Sequence, residues 1–384
     1  MSALQYTLPS GVANIPVSAE DGSLWVNHFS GLFRLHHGEV VTILSYEDNV
    51  EEAEHGFTWA SSPPLNRHYS RGAHLPSPVS YGGLVYVCCH ECPQQNSCIL
   101  CFSSRGTMLW NLPVNDICTH LLTNAHGVFA LCRNSLKRIG NATVDASIPL
   151  LESSEIISYH VVEGGLVFIV KIEQQVRLLQ ISNDLRFIAD YLLDEGSYRF
   201  YISTNYPLIS SNHHHLFVFF PSSTGSFSGM DEFRFRFDSD RKLIFEGKNS
   251  YGVSSSRKLE ASYPGTFLAT ETGFIFTDLL ATGCQNDVRL WQVETEQNTV
   301  SITKLPDEVK ICGGFPPLVI RDYYLIPCYD LRDRLWIGIF HNGNFQMKRC
   351  PHIFSWSVHD DRIWISLWKK DSYLLRQMPD WFKE

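Results

Sequence analysis

Residues 77–113 read SPVSYGGLVYVCCHECPQQNSCILCFSSRGTMLWNLP, and this stretch decides how the rest of the chain is read. Four runs rich in β-branched, aromatic and other apolar residues, SPVSY, GLVYV, SCILCFS and TMLWNLP, are separated by Gly82, by a polar stretch around Pro93 and by Ser104-Arg105-Gly106. Apolar runs of this length between turn-forming residues are strands joined by hairpins, so the unit is a four-stranded antiparallel sheet, A to D. A single such sheet cannot bury both of its faces. It calls for copies stacked on either side.

The copies are present in rhythm rather than in identity. The second run of each unit recurs as GSLWV at 22, GLVYV at 83, GVFAL at 127, GLVFIV at 165, HHLFVFF at 214, GFIFT at 273, DYYLIPC at 322 and DRIWIS at 361. The steps average about 48 residues, a propeller-blade repeat, and the step from 361 round to 22 through both termini falls in the same range. Each of these runs is preceded by an A run and followed by a C run, among them GLFRLHH, SCILCFS, SLKRIG, QVRLLQIS and EFRFRFD. Strict alternation, as in Phe233-Arg234-Phe235-Arg236-Phe237, is read as one buried and one wet face. Seven D runs follow their C runs, but the eighth unit ends at its C run. LQYTLPS, residues 4–10, stands alone before the first unit and is assigned as the missing D strand, which closes the ring. The expectation is therefore an all-β chain: one propeller domain over residues 1–384, with eight four-stranded blades, or seven and one irregular unit. An inserted surface loop at 46–76 separates blades one and two. Shorter insertions are read at 221–232, 250–263 and 279–288.

Composition narrows the function. A net charge of −9 with no Lys/Arg stripe argues against nucleic acid and against an anionic membrane surface. The N-terminus, MSALQYTLPSGVANIPVSAEDG, has neither a basic nor an apolar leader region, and no run approaches a membrane span. Eleven cysteines, several inside apolar runs, fit reduced buried thiols better than a disulfide framework. A soluble cytoplasmic protein is the expectation.

On these residues the chain resembles the pyrroloquinoline-quinone-like propeller repeats, most clearly in SPVSYGGLVYV and in Gly106 followed by Trp110. Blade one, EDGSLWVNHFSGLFRL, resembles instead the sensor-type repeat with its D-G-x-L-W-V and G-L-x-R-L elements. What the resemblance implies is a disc with a central channel. The other blades lack the Gly-then-Trp pair, no cofactor is carried over, and none is expected.

Several constellations could carry chemistry. Cys89, Cys92, Cys98 and Cys101 have the spacing of a four-thiolate zinc site, but Cys98 and Cys101 stand three apart in a strand and so face opposite sides. Buried thiols are the simpler account. His120, His160 and His359 all fall in A runs, which line a propeller channel, and are candidates for a metal or a catalytic base. His213-His214-His215 reads as a solvated turn. Asp116, Glu155 and Asp194 lie near blade junctions and could form a glycosidase-type pair. There is no G-x-S-x-G, no H-E-x-x-H and no phosphate-binding Gly loop. The insertion carries an acidic run, Glu51, Glu52 and Glu54, followed by Phe57 and Trp59; with Trp381 and Phe382 in the tail these are the candidate partner-binding residues. The leading expectation is a non-enzymatic module that binds another protein through its loop-rich face. The alternative is an enzyme or small-ligand binder that uses the channel.

Overall fold

The structure is a computed structural model that describes residues 4–9, 16–28, 30–45, 76–91, 96–150, 154–194, 209–224, 227–254, 261–282, 285–309, 311–312, 317–330, 332, 334–342, 344–350, 355–359, 361–369 and 372–378. These residues form eight antiparallel sheets arranged as a β-propeller, with no helix among them. Blades one to seven span residues 17–45, 79–113, 118–149, 154–194, 209–254, 261–304 and 311–349. Blade eight combines Ser355–His359, Arg362–Lys369 and Ser372–Gln377 with the N-terminal strand Gln5–Leu8 as its outer member. Blade seven is irregular at its inner position, where Ile311–Cys312 and Leu318–Ile320 both pair with Tyr323–Tyr329.

The core is a set of interfaces rather than one centre. Each of eight apolar clusters joins two neighbouring blades. Between blades five and six, for instance, Phe217 and Phe219 pack on Phe267, Phe274 and Phe276. The cluster that closes the ring brings Tyr6, Leu8, Trp364, Tyr373 and Leu375 of blade eight onto Leu24, Val26, Phe33 and Leu35 of blade one. Fully burying each such side chain stabilises the fold by roughly 1.5–3 kcal/mol.

The blade-one motif shows why those residue types recur. Gly22 has φ +75°, which a residue with Cβ rarely adopts, and it lets Asp21 turn back on the chain. Asp21 Oδ1 accepts hydrogen bonds from the Ser23 main chain (3.0 Å) and hydroxyl (2.6 Å), and the Ser23 hydroxyl in turn accepts from the Trp25 indole at 3.2 Å. Burial raises the Asp21 pKa, but the bonds from Ser23 and the Arg34 guanidinium outweigh it and hold the carboxyl below its ordinary range. At Gly31, φ +154°, a Cβ would lie 2.2 Å from the Leu44 carbonyl oxygen, so only glycine lets the outer strand approach.

Sequence and structure differ over the insertions in blades five and six. Residues 221–232, 250–263 and 279–288 read as loops, yet the strands run through much of them. His215–Thr224, Phe227–Phe237 and Leu243–Ser254 pair along their length, as do Ala261–Ala269, Gly273–Thr282 and Gln285–Glu294. Ser and Gly are poor strand formers individually, but here the hairpin ladders supply the main-chain hydrogen bonds that propensity does not. The alternating run Phe233–Phe237 keeps its two faces: Phe233 and Phe235 are buried, Arg236 is exposed, and Arg234 is half-buried over the Phe217 ring.

Candidate interaction face and channel

Because successive strands alternate in direction, the A–B and C–D turns lie on one face of the disc, and the B–C and D–A connections lie on the other. The first face is built of tight turns, many with a residue at positive φ, such as Asn342 and Asp361. Polar clasps join its blades to one another. Arg34 Nε donates to the Ser104 carbonyl (2.7 Å), Arg138 pairs with Asp184 (2.7 Å), Asn212 donates to the Thr270 carbonyl (2.8 Å), and Arg321 pairs with Asp361 (3.0 Å). Between blades four and five, fully buried Gln180 donates to the Arg241 carbonyl (2.7 Å) and accepts from the Leu243 amide (2.9 Å). These clasps tie the tight turns of this face from blade to blade.

The opposite face receives the ends of the 46–76 insertion and the raised strands of blades five and six. Buried Asn27 fixes the point where the insertion returns: its amide nitrogen lies 3.2 Å from the Pro76 carbonyl and 3.3 Å from that of Cys88. Glu51, Glu52, Glu54, Phe57 and Trp59, and likewise Trp381 and Phe382, lie outside the described residues.

The raised strands of blade five stand on a buried ionic cluster that sequence reasoning missed. Glu232 is fully buried and accepts from Arg234 Nε (2.8 Å) and Nη2 (3.2 Å), from the Asn249 amide (3.0 Å) and from the Tyr251 hydroxyl (2.9 Å). Burial, then the Glu232 charge, push the Tyr251 phenol well above its ordinary pKa. Burial alone would lower the Arg234 pKa, but hydrogen bonding to Glu232 and its charge reverse the direction. Every oxygen of the carboxylate is occupied, so the cluster anchors the strands and has no capacity left for a ligand. A charged pair two apart in an aromatic strand, Glu232 and Arg234, was the available signal.

Two of the three candidate histidines lie on adjacent inner strands, but on opposite faces of blade four. His120 lies on Cys118–Asn124 of blade three, and its ring stands 5.2 Å from that of Tyr159 on Ser154–Val162 of blade four. The next residue, His160, has Nε2 2.8 Å from the Ser211 hydroxyl on blade five. Both inner strands carry a bulge just before these residues. Burial lowers the pKa of both His120 and His160 to about 4 and raises that of Tyr159 to about 12. At neutral pH both imidazoles are therefore uncharged. A base with so low a pKa takes up a proton poorly. His359, bonded to the Ser357 hydroxyl at 3.0 Å, is on blade eight, four blades from His160, and does not join them.

The remaining sequence candidates are dispersed. Cys89 and Cys98 face each other in register on the blade-one side, while Cys101 faces blade three beside Cys88, Cys118 and Cys132. Cys92 lies outside the described residues, so the three thiols that can be placed from the proposed zinc set do not converge. Burial pushes the Cys101 thiol up to about 11, away from the thiolate that a metal needs. Glu155 and Asp194 occupy one row across blade four, through Lys171 and Val176, at its inner and outer strands. Three strand spacings separate them by roughly 14 Å, too far for a glycosidase pair. Asp116 is used structurally, accepting from the Ile117 amide (2.7 Å) and the Ser135 hydroxyl (2.8 Å). The His213–His215 turn is held by Asn212, whose side-chain oxygen accepts the His214 and His215 amides.

No protein-family model matches the sequence, and no curated protein matches it. Among solved structures, the chain is similar to BamB from Moraxella catarrhalis, with 9% identity, a TM-score of 0.52, and coverage of 97% of this chain and 100% of that one. Hydrazine synthase of Kuenenia stuttgartiensis (10% identity, TM-score 0.48, 84% and 99% covered) and the WD40 domain of SCAP from fission yeast (10%, 0.45, 98% and 98%) are also similar. At such identities the likeness shows the propeller fold alone.

Proposed function

We propose that this protein is a non-enzymatic recognition module that binds another protein through its loop-rich face, within the reducing environment of the cytoplasm. The observation that carries this reading is the asymmetry of the disc. One face consists of tight turns, and the other carries the ends of the insertion at 46–76 and the raised strands of blades five and six. Long connections held on a rigid scaffold are where binding function concentrates. The acidic residues Glu51, Glu52 and Glu54 beside Phe57 and Trp59 suit a basic partner with an apolar contact. Seven of the cysteines among the described residues are buried, which supports the compartment. Deleting residues 47–62 is expected to leave the urea unfolding midpoint unchanged and to abolish partner capture in a pull-down. Unchanged capture overturns the assignment of the insertion.

A second reading rests on one observation, the pairing of His160 with the Ser211 hydroxyl between the inner strands of blades four and five. A neutral imidazole beside a hydroxyl suits a small uncharged polar ligand better than it suits acid–base catalysis. Native mass spectrometry showing a bound small molecule that is lost in His160→Ala supports it; an unliganded chain of native mass rejects it.

A further inference from the structure

Each blade of a propeller ends in an outer strand with one open edge, and an open edge is a template for pairing with another chain. Seven of the eight are blunted among the described residues. The outer pairs of blades one to five all contain a bulge. The outer strand of blade seven carries Lys348 and Arg349, and that of blade eight is four residues long with every second side chain buried.

The outer strand of blade six, Thr299–Lys304, has no bulge, and no side chain of it is buried or charged before its last residue. Its sequence is TVSITK, all six residues are exposed, and its pairing with Gln285–Glu294 runs in register without a bulge. Val300 is 46% exposed and Ile302 48%. Its only charge is at the last position.

The phase of the open edge follows from the hydrogen bonds. Leu305 N donates to the Val288 carbonyl at 2.8 Å, and Arg289 pairs with Lys304. Alternate residues of an antiparallel strand bond to the same side, so Thr299, Ser301 and Thr303 turn their main-chain groups inward, while those of Val300 and Ile302 stand on the open edge. The segment TVSIT reads almost the same in both directions. Laid antiparallel on itself about Ser301, it sets Val300 against Ile302, with the main-chain donors and acceptors of both already facing outward. Ser301 then meets its own copy at a non-hydrogen-bonded position, and Thr299 meets Thr303. Cross-strand pairs of β-branched residues are the favourable ones, and no like charges meet.

We propose that Thr299–Lys304 is a homodimerisation edge, pairing with the same strand of a second copy about a two-fold axis at Ser301, so that the two outer strands of blade six form one continuous sheet. The contact is isologous and closes on itself, as two-fold interfaces do.

Sedimentation across a concentration series tests it, together with three variants. The wild-type weight-average mass is expected to rise from 43.8 kDa toward twice that value, while Val300→Lys/Ile302→Lys stays at one-chain mass with an unchanged unfolding midpoint. Ser301→Cys is expected to form a disulfide-linked dimer at least roughly tenfold faster than Ser147→Cys, an exposed control on the outer strand of blade three, because pairing raises the effective thiol concentration. Wild-type protein at one-chain mass throughout, with both cysteine variants linking equally slowly, overturns the proposal and leaves the edge to an extended segment of a different protein. Dimers that persist in the double-lysine variant place the contact elsewhere and overturn it as well.

Discussion

Removing residues 1–9 is expected to lower the urea unfolding midpoint by more than any single core substitution, and to expose a sheet edge that promotes aggregation. The reason lies at the junction of the two termini. Gln5–Leu8 pairs with Ser372–Gln377 from Gln5↔Arg376 to Leu8↔Tyr373, and the Leu4 carbonyl accepts the Gln377 amide at 2.9 Å. Tyr6 and Leu8 are 4% and 1% exposed, and the Tyr6 ring stacks on Trp364 at 5.9 Å. Deletion uncovers Trp364, Tyr373 and Leu375 together with the blade-one side of the same cluster. Truncating Leu8 alone to Ala should cost about 2–5 kcal/mol, a large share of the roughly 5–15 kcal/mol typical of a folded protein. A synthetic peptide of residues 1–10 added to the truncated protein should restore part of the midpoint. A truncated chain that unfolds like the full one, with no response to the peptide, would show that the ring does not depend on this strand.

Acidification is expected to destabilise the protein before its carboxylates titrate. His120 and His160 are held neutral in the fold, with pKa values lowered by burial to about 4, whereas in the unfolded chain they return to the ordinary value near 6.5. Between these values the unfolded chain binds protons that the folded one does not. Stability therefore rises with pH across this window and falls as pH drops from 6.5 toward 4. The full shift corresponds to about 3 kcal/mol for each histidine. His28 and His215, also lowered chiefly by burial, act in the same direction. Urea midpoints measured from pH 7.5 to 4.5 should fall steeply for the wild type and much less for His120→Asn/His160→Asn. Parallel slopes for the two proteins would mean that these rings reach bulk water and take up protons in the fold. The outcome also bears on the channel. A steep wild-type slope identifies both imidazoles as neutral hydrogen-bonding groups at physiological pH, which fits ligand binding and disfavours a catalytic base.

Most of the architecture is legible in the sequence because it is local. Turn residues mark where strands end, apolar runs of five to eight residues mark the strands, and the leftover run at residues 4–10 could only complete the blade that lacked an outer strand. Alternation also gave the opposed directions of Cys98 and Cys101, since side chains three apart in a strand must point to opposite faces. The structure agrees, with Cys98 toward blade one and Cys101 toward blade three.

Other features depended on what lies beside each strand, and alternation carries no information about that. Glu232 lies on the polar side of a strand whose sequence reads as half-exposed, yet its carboxylate is buried and satisfied by Arg234, Asn249 and Tyr251. The stretches 221–232 and 279–288 carry Ser, Thr, Gly and Asn and read as loops; hairpin ladders extend the strands into them, because main-chain hydrogen bonding does not depend on side-chain polarity. His120 and Tyr159 are 39 positions apart, and only the ring brings their inner strands side by side. The sequence by itself determined the strands, their order and the closure of the ring, because these follow from hydrogen bonding and alternation within some tens of residues. Only the tertiary structure decided which polar groups are buried, what each inner-strand histidine meets and which outer edge is left open, because burial is a property of the neighbouring blade.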